Sequence, residues 1–201
     1  MPSIYDLKPR FQALLRPLVK SLAKAGVTAN HVTIAAVILS FLVGGLIATQ
    51  PQARLPLLLM PLALFLRMAL NAIDGMLARE HAMKSSLGAI LNEIGDVLSD
   101  TALYLPLGLV PGVNAIWIVA ATILAIVSEM TGVIAVQIGA HRRYDGPMGK
   151  SDRAFVFGLL CLLLGIGVKL GYWVDALLVI TVFLLIVTIF NRARRALEEV
   201  A

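Results

Sequence analysis

The chain has 201 residues, 59% of them hydrophobic and 14% charged, with 17 Lys and Arg against 12 Asp and Glu for a net charge of +5. A mean hydropathy of +0.89 excludes an ordinary soluble domain and identifies an all-α integral membrane protein. The single cysteine, Cys161, excludes an intramolecular disulfide, and its apolar neighbours assign it to packing.

In chain order, Ile4, Leu7, Phe11, Leu14, Leu15, Leu18 and Leu22 recur at intervals of three and four, while Lys8, Arg10, Arg16, Lys20 and Lys24 fall mainly off that stripe. The pattern predicts an amphipathic helix over residues 4–25 that lies in the membrane interface and kinks at Pro17. No short apolar run with a small-residue cleavage site precedes it, so no removable signal peptide is expected. Six segments then reach the ~20 apolar residues of a membrane span, at roughly 32–50, 55–79, 86–109, 115–139, 153–170 and 173–191. They predict six transmembrane helices bundled over 32–191, with 1–201 forming one membrane domain. The strongest break signal is the run from Tyr144 to Asp152, between the fourth and fifth spans.

Fourteen Lys and Arg fall on one set of flanks: the N-terminal helix, Arg79, Lys84, the 142–153 loop and Arg192 to Arg195. Only Arg54 and Lys169 fall on the other, and Arg67 stands inside the second span. This bias places both termini in the cytoplasm, and it accounts for the basic charge without a nucleic-acid partner.

The second and third spans carry Asn71, Asp74, Asn92, Glu93, Asp96 and Asp100. Each ionised group costs about 2.5–3.5 kcal/mol on insertion scales, so a functional site is the default reading. Joined by a turn near 81–84, the two spans are expected to pack as an antiparallel hairpin that sets Asp74 beside Asn92 and Asn71 beside Asp96. Gly75, Ala78 and Gly88 would then remove bulk at the crossing, for close packing or to admit a ligand. Oxygen donors with no nearby histidine or thiol suit Mg²⁺ or Mn²⁺ and a phosphoryl-transfer reaction. Polar contacts between membrane helices are the plainer alternative. His31, His81 and His141 lack metal-ligand spacing and read as interfacial side chains.

The run from Asn71 to Asp96 resembles the signature of the CDP-alcohol phosphotransferases, Asp-x2-Asp-Gly-x2-Ala-Arg-x8-Gly-x3-Asp-x3-Asp. Asp74, Gly75, Ala78, Arg79, Gly88 and Asp96 match it in order, and Thr28 to Thr33 is similar to the family's Thr-Pro-Asn segment, with Ala29 for its proline. The first and third aspartates are Asn71 and Asn92 here, as in a bacterial branch of the family, so the four positions carry −2 rather than −4. Divalent binding should weaken accordingly, with Asp100 the best compensating ligand and Glu93 and Glu129 the others.

The resemblance implies a bacterial inner-membrane transferase with a cytoplasmic active site, a homodimer, and Mg²⁺ or Mn²⁺ as cofactor. The phosphatidyl group of CDP-diacylglycerol would pass to a small alcohol acceptor, with release of CMP. Asp96 would be the general base. Asn71, Asp74, Asn92, Asp96 and Asp100 would hold metal, and Asn30, Gly75, Ala78, Arg79 and Gly88 would border the CDP moiety. Arg142, Lys150 and Arg153 flank the loop on the active-site side and suit a phosphorylated acceptor such as glycerol 3-phosphate or an inositol phosphate, although the same charges also serve as topology signals. The alternative function is a non-catalytic CDP-lipid binding or membrane scaffold protein descended from that family.

Overall fold

Why the chain folds as it does is clearest at the helix ends. Thr28 Oγ1 accepts from the His31 backbone N–H, and the Thr28 N–H donates to His31 Nδ1, a reciprocal cap that starts the first long apolar helix. Ser85 Oγ accepts from the Gly88 N–H in the same way. Within the apolar helices, hydroxyls are satisfied by the carbonyl one turn back, as in Ser40 to Ala36 and Thr122 to Ile118, because hydrocarbon offers them no other partner.

The computed structural model describes residues 4–201, with side chains from residue 11 onward. Among the described residues there are seven α-helices and no strand: α1 (Ile4–Lys24), α2 (Ala29–Thr49), α3 (Arg54–Glu80), α4 (Ser86–Tyr104), α5 (Ala115–Ile134), α6 (Lys150–Gly165) and α7 (Tyr172–Val200). Short 3₁₀ segments, Leu105–Leu109 and Ala135–Ile138, extend α4 and α5.

Four of these elements are long and apolar enough to cross a membrane: Ala29–Thr49, Arg54–Glu80, Ala115–Ile138 and Tyr172–Val200. The other two expected spans fall short for physical reasons. Helix α4 carries Glu93, Asp96 and Asp100, and the 16 residues of α6 reach only about 24 Å at 1.5 Å each.

The expected α3–α4 hairpin is corrected by the packing. Both helices lie principally against α2, which sits between them, while α3 also packs on α6 and α5 on α7. Gly44 on α2 faces the Ala102 carbonyl of α4 so closely that any added Cβ would overlap it. On α4, a Cβ at Gly95 would stand 3.1 Å from Val37 and 3.5 Å from Thr33 of α2. Small residues therefore draw α4 onto α2 instead of α3.

The apolar core runs through α2 to α7, with Ile47, Met60, Leu103, Ile118, Phe157, Leu160 and Leu178 buried and Tyr104 stacked on Phe157 at 4.1 Å. Cys161 is fully buried within it. Helix α1 continues through Pro17 and docks on α3: Phe11 meets Phe65 edge to face at 6.1 Å, Val19 is buried with Met76 and Leu77, and Arg16 pairs with Glu80 at 3.0 Å. Leu14 and Leu18 remain exposed. The side chains of Ile4, Leu7, Lys8 and Arg10, which belong to the expected amphipathic face, lie outside the described residues.

Candidate active site

Because α2 keeps α3 and α4 apart, their polar faces bound an open cleft of about 720 Å³. Asn30 and Thr33 line it from α2, Asn71, Asp74, Gly75, Ala78 and Arg79 from α3, and Gly88 and Asn92 from α4. Asp74 is buried, and its Oδ2 accepts from Thr33 Oγ1 at 2.8 Å. The glycines make room: a Cβ at Gly75 would meet the Arg79 guanidinium at 3.0 Å, and one at Gly88 would meet Asn30 Oδ1 at 2.8 Å. Arg79 and Asn30 thus lie over the helices at the cleft walls.

A second cleft, of about 640 Å³, lies on the far side of α3, between α1 and α6. Its wall is mainly apolar, with Phe11, Leu64, Phe65, Met68 and Ala154, and at its polar end it meets Asn71, Arg79 and Lys150. Asn71 and Arg79 line both clefts.

Asp96 lines neither cleft but contacts Asn71, which lines both, and Lys150, which lines the second. Its Oδ1 accepts from Asn71 Nδ2 at 3.3 Å and pairs with the Lys150 ammonium, while Arg67 donates to its backbone carbonyl at 3.0 Å. Of the paired positions read from the sequence, Asn71 meets Asp96 in a hydrogen bond and Asp74 and Asn92 line the same cleft, although α3 and α4 do not form a packed crossing.

A sequence model of the CDP-alcohol phosphatidyltransferase family matches residues 26–190. The chain belongs to that family. It is 48% identical over 195 residues to the inner membrane protein YnbA of Escherichia coli K12, covering 97% of this chain and 96% of that protein. Its fold is similar to that of Mycobacterium tuberculosis phosphatidylinositol phosphate synthase PgsA1. One PgsA1 structure, in complex with manganese and citrate, gives a TM-score of 0.75 at 17% identity, covering 90% of this chain and 88% of that one. Another, with CDP-DAG bound, gives 0.71 at 19% identity and 92% of each.

In this CDP-alcohol phosphatidyltransferase family member, Asp100, expected as a compensating metal ligand, is committed elsewhere. Its Oδ1 pairs with Arg67 and its Oδ2 accepts from Arg153 Nη2 at 2.8 Å. The other two candidates are also held by arginine: Glu93 by Arg142 at 2.6 Å, and Glu129 by Arg153 at 2.9 Å and by Arg142 at 3.1 Å. The acceptor reading of the basic loop changes for the same reason. Arg153 is fully buried between Asp100 and Glu129, and Arg142 is taken by two carboxylates and lies over the Tyr144 ring at 4.3 Å. Of the three expected acceptor residues, only Lys150 lines a cleft.

Three residues escaped the sequence reading. Arg67 carried a signal, a lone arginine in an apolar run, but not its partners. Arg192, taken as a topology charge, is buried and donates to the carbonyls of Ser128 and Asp145. Thr33, the hydroxyl that fixes Asp74, closes the run from Thr28 that resembles the family segment but was given no role there.

The donor set fits a hard divalent ion. Thr33 occupies one oxygen of Asp74, leaving the other, and Asn71 and Asn92 bring amide oxygens to the same cleft. Among the described residues no group of three or more His, Cys, Asp or Glu is placed to hold a metal, so an ion in this cleft would need the amides as well as the carboxylate.

Proposed function

We propose that this protein is an active, divalent-metal-dependent transferase of a bacterial inner membrane that moves the phosphatidyl group of CDP-diacylglycerol to a small alcohol. The observation that carries the reading is the pair of adjoining clefts, one polar and lined by the signature residues, the other apolar and reaching the same Asn71 and Arg79. A lipid joined to a nucleotide through a diphosphate needs those two environments side by side. The manganese and CDP-DAG in the PgsA1 structures of similar fold support the choice of ligands.

Asn30 and Arg79 border the diphosphate, Gly75, Ala78 and Gly88 leave it room, and Asn71, Asp74 and Asn92 hold Mg²⁺ or Mn²⁺. When bound, the ion neutralises and orients the diphosphate. Asp96 accepts the proton of the acceptor hydroxyl as its oxygen bonds to the lipid phosphorus; the bond to CMP breaks and CMP leaves. The neutralisation of Arg142 and Arg153 removes the ground for favouring a phosphorylated acceptor, so the acceptor is assigned only as a small alcohol. Helices α4 and α6 complete six crossings, α1 lies in the interface on the cytoplasmic side, and the protein works as a homodimer, in keeping with its family.

The test is CMP release from CDP-diacylglycerol with Mn²⁺ and a panel of alcohols that includes glycerol 3-phosphate and inositol phosphate. Release should require the metal and be lost in Asp96→Ala; full turnover in that variant would remove Asp96 from its role. One observation favours a second reading. Lys150 and Asn71 both engage Asp96 Oδ1, so that oxygen is already occupied, and binding of CDP-lipid with no CMP released to any acceptor would establish a non-catalytic protein.

A further inference from the structure

The geometry points to a fixed cation at this site: the Lys150 ammonium stands in for a second divalent ion at Asp96, so the cleft takes one ion, at Asp74. The inference rests on the reading of this cleft as the metal site of the family. Four aspartates carry four negative charges, which two divalent ions neutralise. With Asn71 and Asn92 in place, Asp74 and Asp96 carry two, and Lys150 already balances the one at Asp96.

The position of Lys150 supports the assignment. It is the first residue of α6, where the helix dipole disfavours a cation, so its charge does not serve the helix. Nor does it point to water or headgroups as a topology charge would, for its Nζ is paired with Asp96 Oδ1 and its side chain is 28% exposed. Asn71 turns its amide N–H, and not its carbonyl, toward the same oxygen, and Arg67 adds a second positive group 3.6 Å from it. Among the described residues, every side chain set against Asp96 Oδ1 is therefore a donor or a cation, the reverse of what an incoming metal ion meets at a carboxylate ligand. Thr33 instead leaves an oxygen of Asp74 open to the cleft.

The test is Mn²⁺ binding to the purified full-length protein without substrate, counted by loss of the free-ion electron paramagnetic resonance signal. Wild type is expected to bind one ion per protomer. Lys150→Gln should bind one ion about tenfold more tightly, since a repelling charge nearby is gone, and Lys150→Arg should match wild type. The double variant Asn71→Asp with Asn92→Asp should still take one ion, and adding Lys150→Gln to it should admit two. Two ions or none in wild type, two in the double variant with Lys150 present, or unchanged affinity in Lys150→Gln would each overturn the inference. If the asparagine variants fail to fold, the wild-type count and the two single Lys150 variants decide it. Absence of CMP release with one ion bound would defeat the proposed chemistry and leave this inference standing.

Discussion

Thr33 and Arg153 illustrate two ways in which single side chains set this site. Thr33 Oγ1 holds one oxygen of Asp74 at 2.8 Å and so orients the carboxylate, and loss of such a supporting contact typically weakens metal affinity by about 10–100-fold. Thr33→Val is expected to weaken Mn²⁺ binding by that order without loss of fold; unchanged affinity would show that Asp74 needs no such support. Arg153 is different in kind. Removing it takes one cation from each of two buried carboxylates, leaving Asp100 to Arg67 and Glu129 to Arg142 and Arg192, so Arg153→Ala should cost about 3 kcal/mol of stability, and a thermal unfolding midpoint equal to wild type would contradict this. The signature positions were legible because chemistry fixes their spacing along two helices. The partners of Asp74, Asp100 and Glu129 were not, because each lies on another helix, and spacing on one helix carries no information about which side chain faces it. Asp100 shared the face of Asp96 by periodicity, yet Arg67 and Arg153 close it off.

At the scale of elements, α2 decides the geometry. Two consecutive helices joined by a short turn are ordinarily neighbours, which is why α3 and α4 read as a packed hairpin. The contact between Gly44 and the Ala102 carbonyl overrides that expectation, and nothing in the local sequence marks either residue as a meeting point. Gly44→Val should therefore push α4 away from α2 and destabilise the protein by about 1–3 kcal/mol or more, lowering both the unfolding midpoint and Mn²⁺ affinity. A stable variant with wild-type metal binding would mean that α2 does not set the gap. Most helix bounds were readable to within about five residues from apolar length and caps, but α7 runs on to Val200, well past its expected end at 191. In α4 the charged residues stand at the site, so there the features that mark the function also weaken the signal of a membrane span, whereas α6 is simply short.

For the whole molecule, sidedness is the property the sequence expresses most simply, through fourteen basic residues on one set of flanks against two on the other. The full burial of Cys161 makes the native chain a quiet background for single introduced cysteines. Gln52→Cys, between α2 and α3, should react with a membrane-impermeant maleimide in intact cells. Glu198→Cys, at the far end of α7, should react only after lysis, and the opposite pattern would reverse the proposed orientation. Among the described residues, the clefts share only Asn71 and Arg79 as a common boundary. On the proposed chemistry, the two products therefore part by separate exits, the nucleotide to the aqueous phase and the new lipid sideways into the leaflet. Added CMP should then compete with the nucleotide-linked donor alone, whatever the concentration of product lipid in the vesicle, and mutual dependence of the two inhibitors would reveal a single shared way out.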